Sequence, residues 1–139
     1  MDPQSVIRSL GMQPHPEGGW YVETYREAGA GGERGAVSAI YFLLEAGQRS
    51  HWHRVDATEI WLWHAGGPLR LTVLAEHGQR HHLLLGPDLA EGERPQAVIP
   101  ARSWQEARPL AGWSLVSCIV APAFDFAGFE LAPPGWQPS

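Results

Sequence analysis

Two histidines and a glutamate lie close together in the segment Gly47–Gly66. His51 and His53 are two residues apart, so on a β-strand both side chains would point to the same face. Glu59 follows a short turn-like connection and begins a second strand-like run. Two imidazoles and a carboxylate that converge on one cavity can bind a metal ion or carry out acid–base chemistry. We therefore take His51, His53 and Glu59 as the candidate catalytic residues.

A short helix and a series of β-strands must position these side chains. Asp2 is a suitable N-cap, Pro3 suits the first helical position and Gly11 suits the C-cap, which predicts one N-terminal helix ending at Leu10. The following runs are rich in apolar, aromatic and β-branched residues and predict strands: Gly19–Arg26, Ala36–Glu45, Ser50–His53, Glu59–His64, Leu69–Ala75, Arg80–Leu85, Ala97–Pro100, Trp104–Arg108, Trp113–Ala121 and part of Phe124–Leu131. Many short strands separated by turns indicate an all-β sandwich or barrel.

Length and composition restrict the class of protein. The 139 residues show no change of composition along the chain, so we expect a single domain over residues 1–139. The formal net charge is −5 and the ten arginines are scattered singly, which argues against a nucleic-acid partner. No signal peptide and no apolar stretch of membrane-spanning length is present, so we expect a cytoplasmic protein without a membrane partner. Cys118 lies in an apolar run and is expected to be a buried, inert thiol.

Two tryptophans share the face of Glu59 on the predicted strand. Alternation places Glu59, Trp61 and Trp63 on one face. It places His64 on the other face, where packing or surface exposure is expected. If Glu59 faces a cavity, Trp61 and Trp63 line that cavity; the alternative is that both tryptophans fill the interior of a small barrel. The sequence leaves both interpretations open.

The spacing of these residues resembles the first motif of the cupin superfamily. His51-Trp52-His53 is followed by five residues, Glu59, six residues and Gly66. In the second cupin motif, P-x-G-x-x-H, Arg102 stands in place of the glycine and Gln105 in place of the metal-binding histidine. The resemblance thus supplies a candidate metal set of His51, His53, Glu59 and Gln105, with a neutral oxygen donor where the family has an imidazole.

Further segments resemble one branch of the superfamily, the Cupin 5 family, a domain of unknown function (985). They are His15–Trp20, Ser50–Arg54, Glu59–Trp61, Leu85–Asp88, Ile99–Ala107 and Val120–Leu131. The resemblance covers nearly the whole chain. It implies a double-stranded β-helix, or cupin jelly roll, which is commonly a homodimer. It also implies a cavity similar to those of sugar 3,5-epimerases and seed storage cupins, but it supplies no reaction.

Three functions are consistent with these residues. The first is an isomerase or epimerase acting on a polar, sugar-like substrate, with a histidine as general base and Glu59 orienting the ring. Such a reaction needs an acid on the opposite face of the reacting carbon, for which Tyr25 and Tyr41 are candidates. The second is a metal-dependent enzyme, such as a dioxygenase, holding a divalent transition metal on His51, His53, Glu59 and Gln105.

The third function is a ligand-binding protein without catalysis. Trp61 and Trp63 would then stack on a flat or sugar ring, and Arg102 would hold an anion, although an ordinary surface salt bridge is the alternative for Arg102. Gln105 and Glu17 complete the predicted ligand-binding residues. Glu17 lies in a glycine-containing segment that forms either a turn before the first strand or an approach of backbone to a ligand. In all three cases the partner is a small molecule.

Overall fold

The computed structural model describes residues 1–138, and its first element is the predicted helix. Helix α1 spans Pro3–Leu10. The Asp2 carboxylate caps it by accepting a hydrogen bond from the Ser5 backbone N–H at 2.8 Å. Gly11 ends the helix in the left-handed conformation, with φ of 68°. The N-cap and C-cap predictions are therefore confirmed, because the chain ends its helix where only glycine adopts this backbone easily.

Eleven β-strands follow across the described residues, and they form two antiparallel sheets. The strands are β1 Gln13–Pro14, β2 Trp20–Arg26, β3 Ser38–Leu44, β4 Ser50–Val55, β5 Thr58–Gly66, β6 Leu69–Leu74, β7 Arg80–Leu85, β8 Gln96–Ile99, β9 Trp104–Pro109, β10 Ser114–Ala121 and β11 Phe129–Leu131. One sheet has the order β1-β2-β3-β10-β5-β8 and the other β11-β4-β9-β6-β7. This is a jelly roll, so the predicted all-β class and the double-stranded β-helix are confirmed.

The core lies between the two sheets, where alternate residues of each strand point inward. Phe42, Trp61 and Val116 of the six-stranded sheet pack against Leu71 and Val73 of the five-stranded sheet, and all five are almost fully buried. Because this inner layer is continuous, it fixes the register of the strands that surround any internal cavity. Helix α1 packs outside it, against the outer face of β3.

A bulge interrupts β4 at the predicted histidine pair. In the pairing of β4 with β9, Ser50 lies opposite Ala107 and His53 lies opposite Gln105. The two residues between Ser50 and His53 therefore face the single residue Glu106, which is the arrangement of a β-bulge. An extra residue shifts the alternation by one position. Both Ser50 and His53 consequently point inward, although they are three residues apart.

Two connections close one end of the space between the sheets. The turn His15–Gly19 joins β1 to β2 and docks on β4, because the His51 N–H donates to the Glu17 carbonyl at 2.8 Å. The connection from β10 to β11 contains a short helical turn, Phe126–Gly128. It is held by Arg34, which donates to the Ala123 carbonyl at 2.6 Å. Among the described residues, no helix is long and apolar enough to cross a membrane.

Candidate acid–base site

A small cavity lies between the sheets at this closed end. Its volume is about 80 Å³. Two glutamates and two histidines with buried side chains line it: His15, Glu17, His53 and Glu59. Its remaining lining comes from Tyr21, Glu23, Arg26, Ser38, Ile40, Val55, Cys118, Val120, Phe124 and Phe126. The space accommodates about five water-sized groups, so it fits a small molecule or one end of a larger one.

His53 and Glu17 share one proton across a buried contact. His53 Nδ1 lies 2.8 Å from the carbonyl oxygen of His51, which can only accept, so Nδ1 carries a hydrogen. In the neutral ring Nε2 is then unprotonated, and it lies 3.2 Å from Glu17 Oε2. Two acceptors at this distance require a proton between them. The pair is therefore either a carboxylic acid donating to an imidazole or a carboxylate paired with an imidazolium.

Burial decides where that proton lies. Removal from water raises the pKa of Glu17 and lowers the pKa of His53, because each charged form loses its hydration. Both directions favour the neutral acid and the neutral ring. Ser50 Oγ donates to the other oxygen of Glu17 at 2.9 Å, so this carboxyl group is held on both sides.

A glycine-containing turn brings Glu17 into the cavity. Gly18 has φ of 110° and Gly19 has φ of 81°, conformations that other residues avoid. A Cβ atom at Gly18 would collide with the carbonyl oxygen of Arg49. The two glycines thus let the turn lie against β4, and the side chain of Glu17 then points into the cavity.

Glu59 is the second buried carboxyl group. Gln105 Nε2 donates to its Oε1 at 2.8 Å, and Cys118 lines the same cavity. Desolvation by burial raises the pKa of Glu59 to about 7, and the neighbouring Glu17 acts in the same direction. A carboxyl group with this pKa exchanges protons at neutral pH, which is what a general acid or base requires.

His15 completes the polar side of the cavity. Its Nδ1 accepts a hydrogen bond from the Glu17 backbone N–H at 3.1 Å, so the proton of the neutral ring lies on Nε2. Burial lowers the pKa of His15 and keeps the ring neutral. The ring meets Tyr21 edge-on, with centroids 4.6 Å apart. His15 is thereby fixed in one orientation beside Glu17.

The prediction that His51 and His53 face one cavity is wrong, and the bulge in β4 is the reason. His51 points away from the cavity and lies on the outer side of the sheet. Its Nε2 donates to the Pro133 carbonyl at 3.0 Å, and its Nδ1 accepts from Arg49 at 2.9 Å. Strand alternation holds only for regular pairing, so the two-residue spacing was misleading here.

The two tryptophans and Gln105 are structural neighbours of the site. Trp61 does share the inner face with Glu59, but it is buried in the core, where its Nε1 donates to Gln105 Oε1 at 3.0 Å. Trp63 donates to the Gly67 carbonyl and packs against the same core. Neither indole lines the cavity, so the core alternative for them is correct. Gln105 contacts Glu59 and orients it.

Three further candidates lie outside the cavity. Arg102 is 59% exposed and forms a salt bridge with Glu76 at 3.0 Å, so the surface alternative for this residue is correct. Tyr25 is largely exposed, and Tyr41 packs on the helix side of β3. The tyrosine that reaches the cavity is Tyr21. Glu23, two residues further along β2, also lines the cavity but is exposed.

The predicted metal set does not assemble. Of His51, His53, Glu59 and Gln105, the cavity contains only His53 and Glu59. The amide oxygen of Gln105 is already bonded to Trp61, and both ring nitrogens of His51 are engaged on the outer side. Within residues 1–138, no group of three or more His, Cys, Asp or Glu side chains is arranged to hold a metal ion. The donor set therefore does not fit the metal that the cupin resemblance implied.

Sequence reasoning missed His15, Tyr21 and Cys118 as cavity residues. Cys118 is buried as expected, and burial raises the pKa of its thiol. The signal for His15 was its place in the glycine-containing motif shared with Glu17. Tyr21 carried no signal, because its inward direction depends on the register of β2 against β3.

Fold and site together define a jelly-roll protein with an internal cavity lined by buried glutamates and histidines. The chain matches the model of the Cupin_5 family, described as Cupin superfamily (DUF985), over residues 4–132. It therefore belongs to this family. No curated protein matches the chain.

Solved structures support the same assignment. A protein from Shewanella oneidensis is 40% identical, with 95% of this chain and 85% of that chain covered and a TM-score of 0.90. A hypothetical protein from Leishmania major is 33% identical, with coverage of 95% and 88% and a TM-score of 0.86. A mutant of Bacillus subtilis oxalate decarboxylase is 14% identical over 85% of this chain and 29% of its own, with a TM-score of 0.65. This last likeness shows the shared fold alone.

Proposed function

We propose that the cavity is the active site of an isomerase or epimerase that moves a proton on a small polar substrate. The observation that carries the proposal is the buried 3.2 Å contact between His53 Nε2 and Glu17 Oε2, in a cavity that Glu59 also lines. An isomerisation of this kind needs one group that takes a proton and one that returns it. Glu59 and the Glu17–His53 pair provide these two groups without any metal ion.

The proposed proton transfer uses Glu59 in its ionised form and Glu17 in its protonated form. Ionised Glu59 takes the proton from a carbon next to a carbonyl group, and the electron pair of the broken C–H bond passes into the carbonyl. The protonated Glu17 then returns a proton to the substrate, and Ser50 donates a hydrogen bond to the carboxylate that remains. His53 keeps Glu17 oriented. After product release, Glu59 loses its proton to solvent and Glu17 regains one from solvent; in the reverse reaction, ionised Glu17 takes the proton and protonated Glu59 returns one.

Charge and size restrict the substrate. Arg26 is the one cationic side chain among the described lining residues, and it lies at the mouth, bonded to Glu23 and to the Phe124 carbonyl. The interior therefore offers two carboxyl groups and no arginine, which disfavours an anionic group there. A neutral hydroxy-carbonyl compound of sugar-like polarity, or the corresponding end of a larger molecule, fits this interior.

Solvent deuterium exchange tests the proposal. The protein is incubated in D₂O with a panel of small aldoses, ketoses and hydroxy-ketones, and deuterium at carbon is measured by NMR. We expect exchange in at least one compound, falling by about a hundredfold or more in Glu17→Gln and Glu59→Gln, since a proton-transfer group typically contributes 10²–10⁴-fold. His51→Gln is the matched control and should retain full exchange.

Three results would contradict the proposal. Absence of exchange across the panel, with tight binding of one compound that leaves unchanged, would favour the non-catalytic ligand-binding function. Equal losses in His51→Gln and Glu17→Gln would show that the cavity is not the site. Activity that appears only after loading with a divalent transition metal would favour the metal-dependent alternative.

We also propose a homodimer, as the family resemblance implies. The outer edge of β2 beyond Tyr21 is unpaired within the described chain, because β1 pairs only with Trp20 and Tyr21. An unpaired strand edge is available for pairing with another chain. Sedimentation equilibrium tests the assembly, and a monomer at every concentration would exclude it.

A further inference from the structure

Three arginines lie side by side on the outer face of the five-stranded sheet. Arg70 of β6 and Arg108 of β9 are direct cross-strand partners. Arg49 immediately precedes Ser50, which pairs with Ala107, so Arg49 lies beside Arg108 on the other flank. Neighbouring strands are about 4.8 Å apart, which places the three arginines in one row across the sheet. We call Arg49, Arg108 and Arg70 the arginine row.

A single carboxylate lies within this row. Glu106 accepts from Arg108 Nε at 3.0 Å and from Arg108 Nη2 at 3.1 Å. The same Glu106 accepts from Arg49 Nη1 at 3.3 Å. Its side chain is only 6% exposed, whereas those of Arg49 and Arg108 are 37% and 46% exposed. Glu106 thus occupies the inner side of two guanidinium groups, and their outer sides face solvent.

Arg70 has no carboxylate partner within the described chain. It lies between Arg108 on β9 and Leu84 on β7. Its Nε–H is buried and makes no hydrogen bond there. Like charges directly opposite each other on a sheet are destabilising, and so is a buried donor without an acceptor. The row therefore carries an excess of two positive charges and one unmet donor in a chain whose formal net charge is −5.

We propose that the arginine row is a binding site for a compact oxyanion of the phosphate class. A divalent phosphate matches the excess charge of the row, and its oxygens match the planar donor fork of arginine. Its oxygens would bridge Arg70 and Arg108, relieve their repulsion and draw the Arg70 guanidinium toward an acceptor. The site lies on the opposite face of the sheet from the cavity, so it is independent of the proposed isomerase function.

Thermal unfolding in different anions tests the site. Sodium phosphate, glycerol 3-phosphate and sodium chloride are compared at matched ionic strength. We expect phosphate to raise Tm by about 5 °C at roughly ten times its Kd, and chloride to have no such effect. Equal effects of the two phosphates would mean that the phosphoryl group alone is recognised. A lower Kd for the ester would mean that the natural ligand is a larger phosphorylated molecule.

Two variants with the same change of charge separate a site from general screening. Arg70→Gln should weaken phosphate binding at least about tenfold, and in chloride its Tm should equal or exceed that of the unmodified protein, because a like-charge contact is lost. Arg8→Gln, on helix α1, should bind phosphate as the unmodified protein does. The proposal is overturned if phosphate and chloride act alike, or if both variants lose the response equally.

Discussion

Glutamates are buried both between the two sheets and on the outer face of the five-stranded sheet, in opposite electrostatic surroundings. In the cavity, Glu17 and Glu59 lie near each other and near two histidines that burial keeps neutral. On the outer face, Glu106 is equally buried but holds Arg49 and Arg108. Buried glutamates thus lie beside histidines in one region and beside two guanidinium groups in the other.

The difference shows that neighbours, and not burial alone, decide what a buried carboxyl group can do. Desolvation by burial raises the pKa of Glu59 to about 7, although His53 acts in the opposite direction, and at this pKa the group can gain or lose a proton near neutral pH. With two guanidinium groups in contact, a buried carboxylate is compensated as an ion. The raised pKa of Glu59 therefore lowers the stability of the protein as the pH rises.

Removal of Glu106 should have the largest effect on stability. Glu106→Ala leaves the arginine row without its carboxylate, and loss of one partner from a buried ion pair is strongly destabilising. Because the arginines can regain water, we expect a decrease of about 3 kcal/mol in the free energy of unfolding, measured by urea denaturation. Glu130→Ala, which removes the exposed partner of Arg54, is the matched control and should cost about 0.5 kcal/mol. Equal losses would mean that Glu106 is an ordinary surface ion.

Substitution of Glu59 should increase the free energy of unfolding, and the size of the increase should depend on pH. The folded state holds a proton on Glu59 up to about pH 7, whereas the unfolded chain releases it near the ordinary value of 4.5. Stability is therefore complete below about pH 4.5 and falls as the pH rises toward 7. Glu59→Gln removes this loss and should raise the free energy of unfolding by about 2 kcal/mol at alkaline pH. This is less than the full pKa shift implies, because the hydrogen bond from Gln105 to a carboxylate becomes one to a neutral amide.

The control is the dependence of stability on pH, measured for both proteins. Denaturation of the unmodified protein and of Glu59→Gln should give equal stabilities at acidic pH and diverge through neutral pH. Because the pKa of Glu17 is also raised, the stability of Glu59→Gln should still fall with rising pH, but less steeply than that of the unmodified protein. A constant difference at every pH would contradict a titrating Glu59 and would indicate a change in packing alone.

Most of the fold could be predicted from the sequence, because its signals are local. Asp2, Pro3 and Gly11 delimit the helix, and the apolar runs between turn residues match the strands to within a few positions. The exceptions depend on tertiary contacts. The two-residue strand Gln13–Pro14 is defined by its pairing with β2, and most of Phe124–Leu131 is a loop that forms a strand only at Phe129–Leu131.

The site was less predictable, since one bulge changes which side chains meet. Regular alternation places His51 beside His53, but the unpaired residue in β4 turns His51 outward and brings Ser50 inward. A bulge is set by the partner strand and leaves no periodic trace in its own sequence. Glu17 entered the prediction only through its resemblance to a family motif, and the partnership of Glu17 with His53 requires the turn to dock on β4.

The smallest predicted difference between the cavity and the outer face of the sheet is the tautomer of the histidine on each side, His53 and His51. His53 carries its hydrogen on Nδ1, because that atom faces the His51 carbonyl, and His51 carries its hydrogen on Nε2, because that atom faces the Pro133 carbonyl. Long-range ¹H–¹⁵N NMR at neutral pH should therefore show opposite tautomers at the two rings. His51→Gln should remove one set of signals, leave the other unchanged and cost about 1 kcal/mol or less, as its hydrogen bonds are partly exposed to water. An Nε2–H tautomer or an imidazolium at His53 would mean that the proton between Glu17 and His53 does not lie on the carboxyl group.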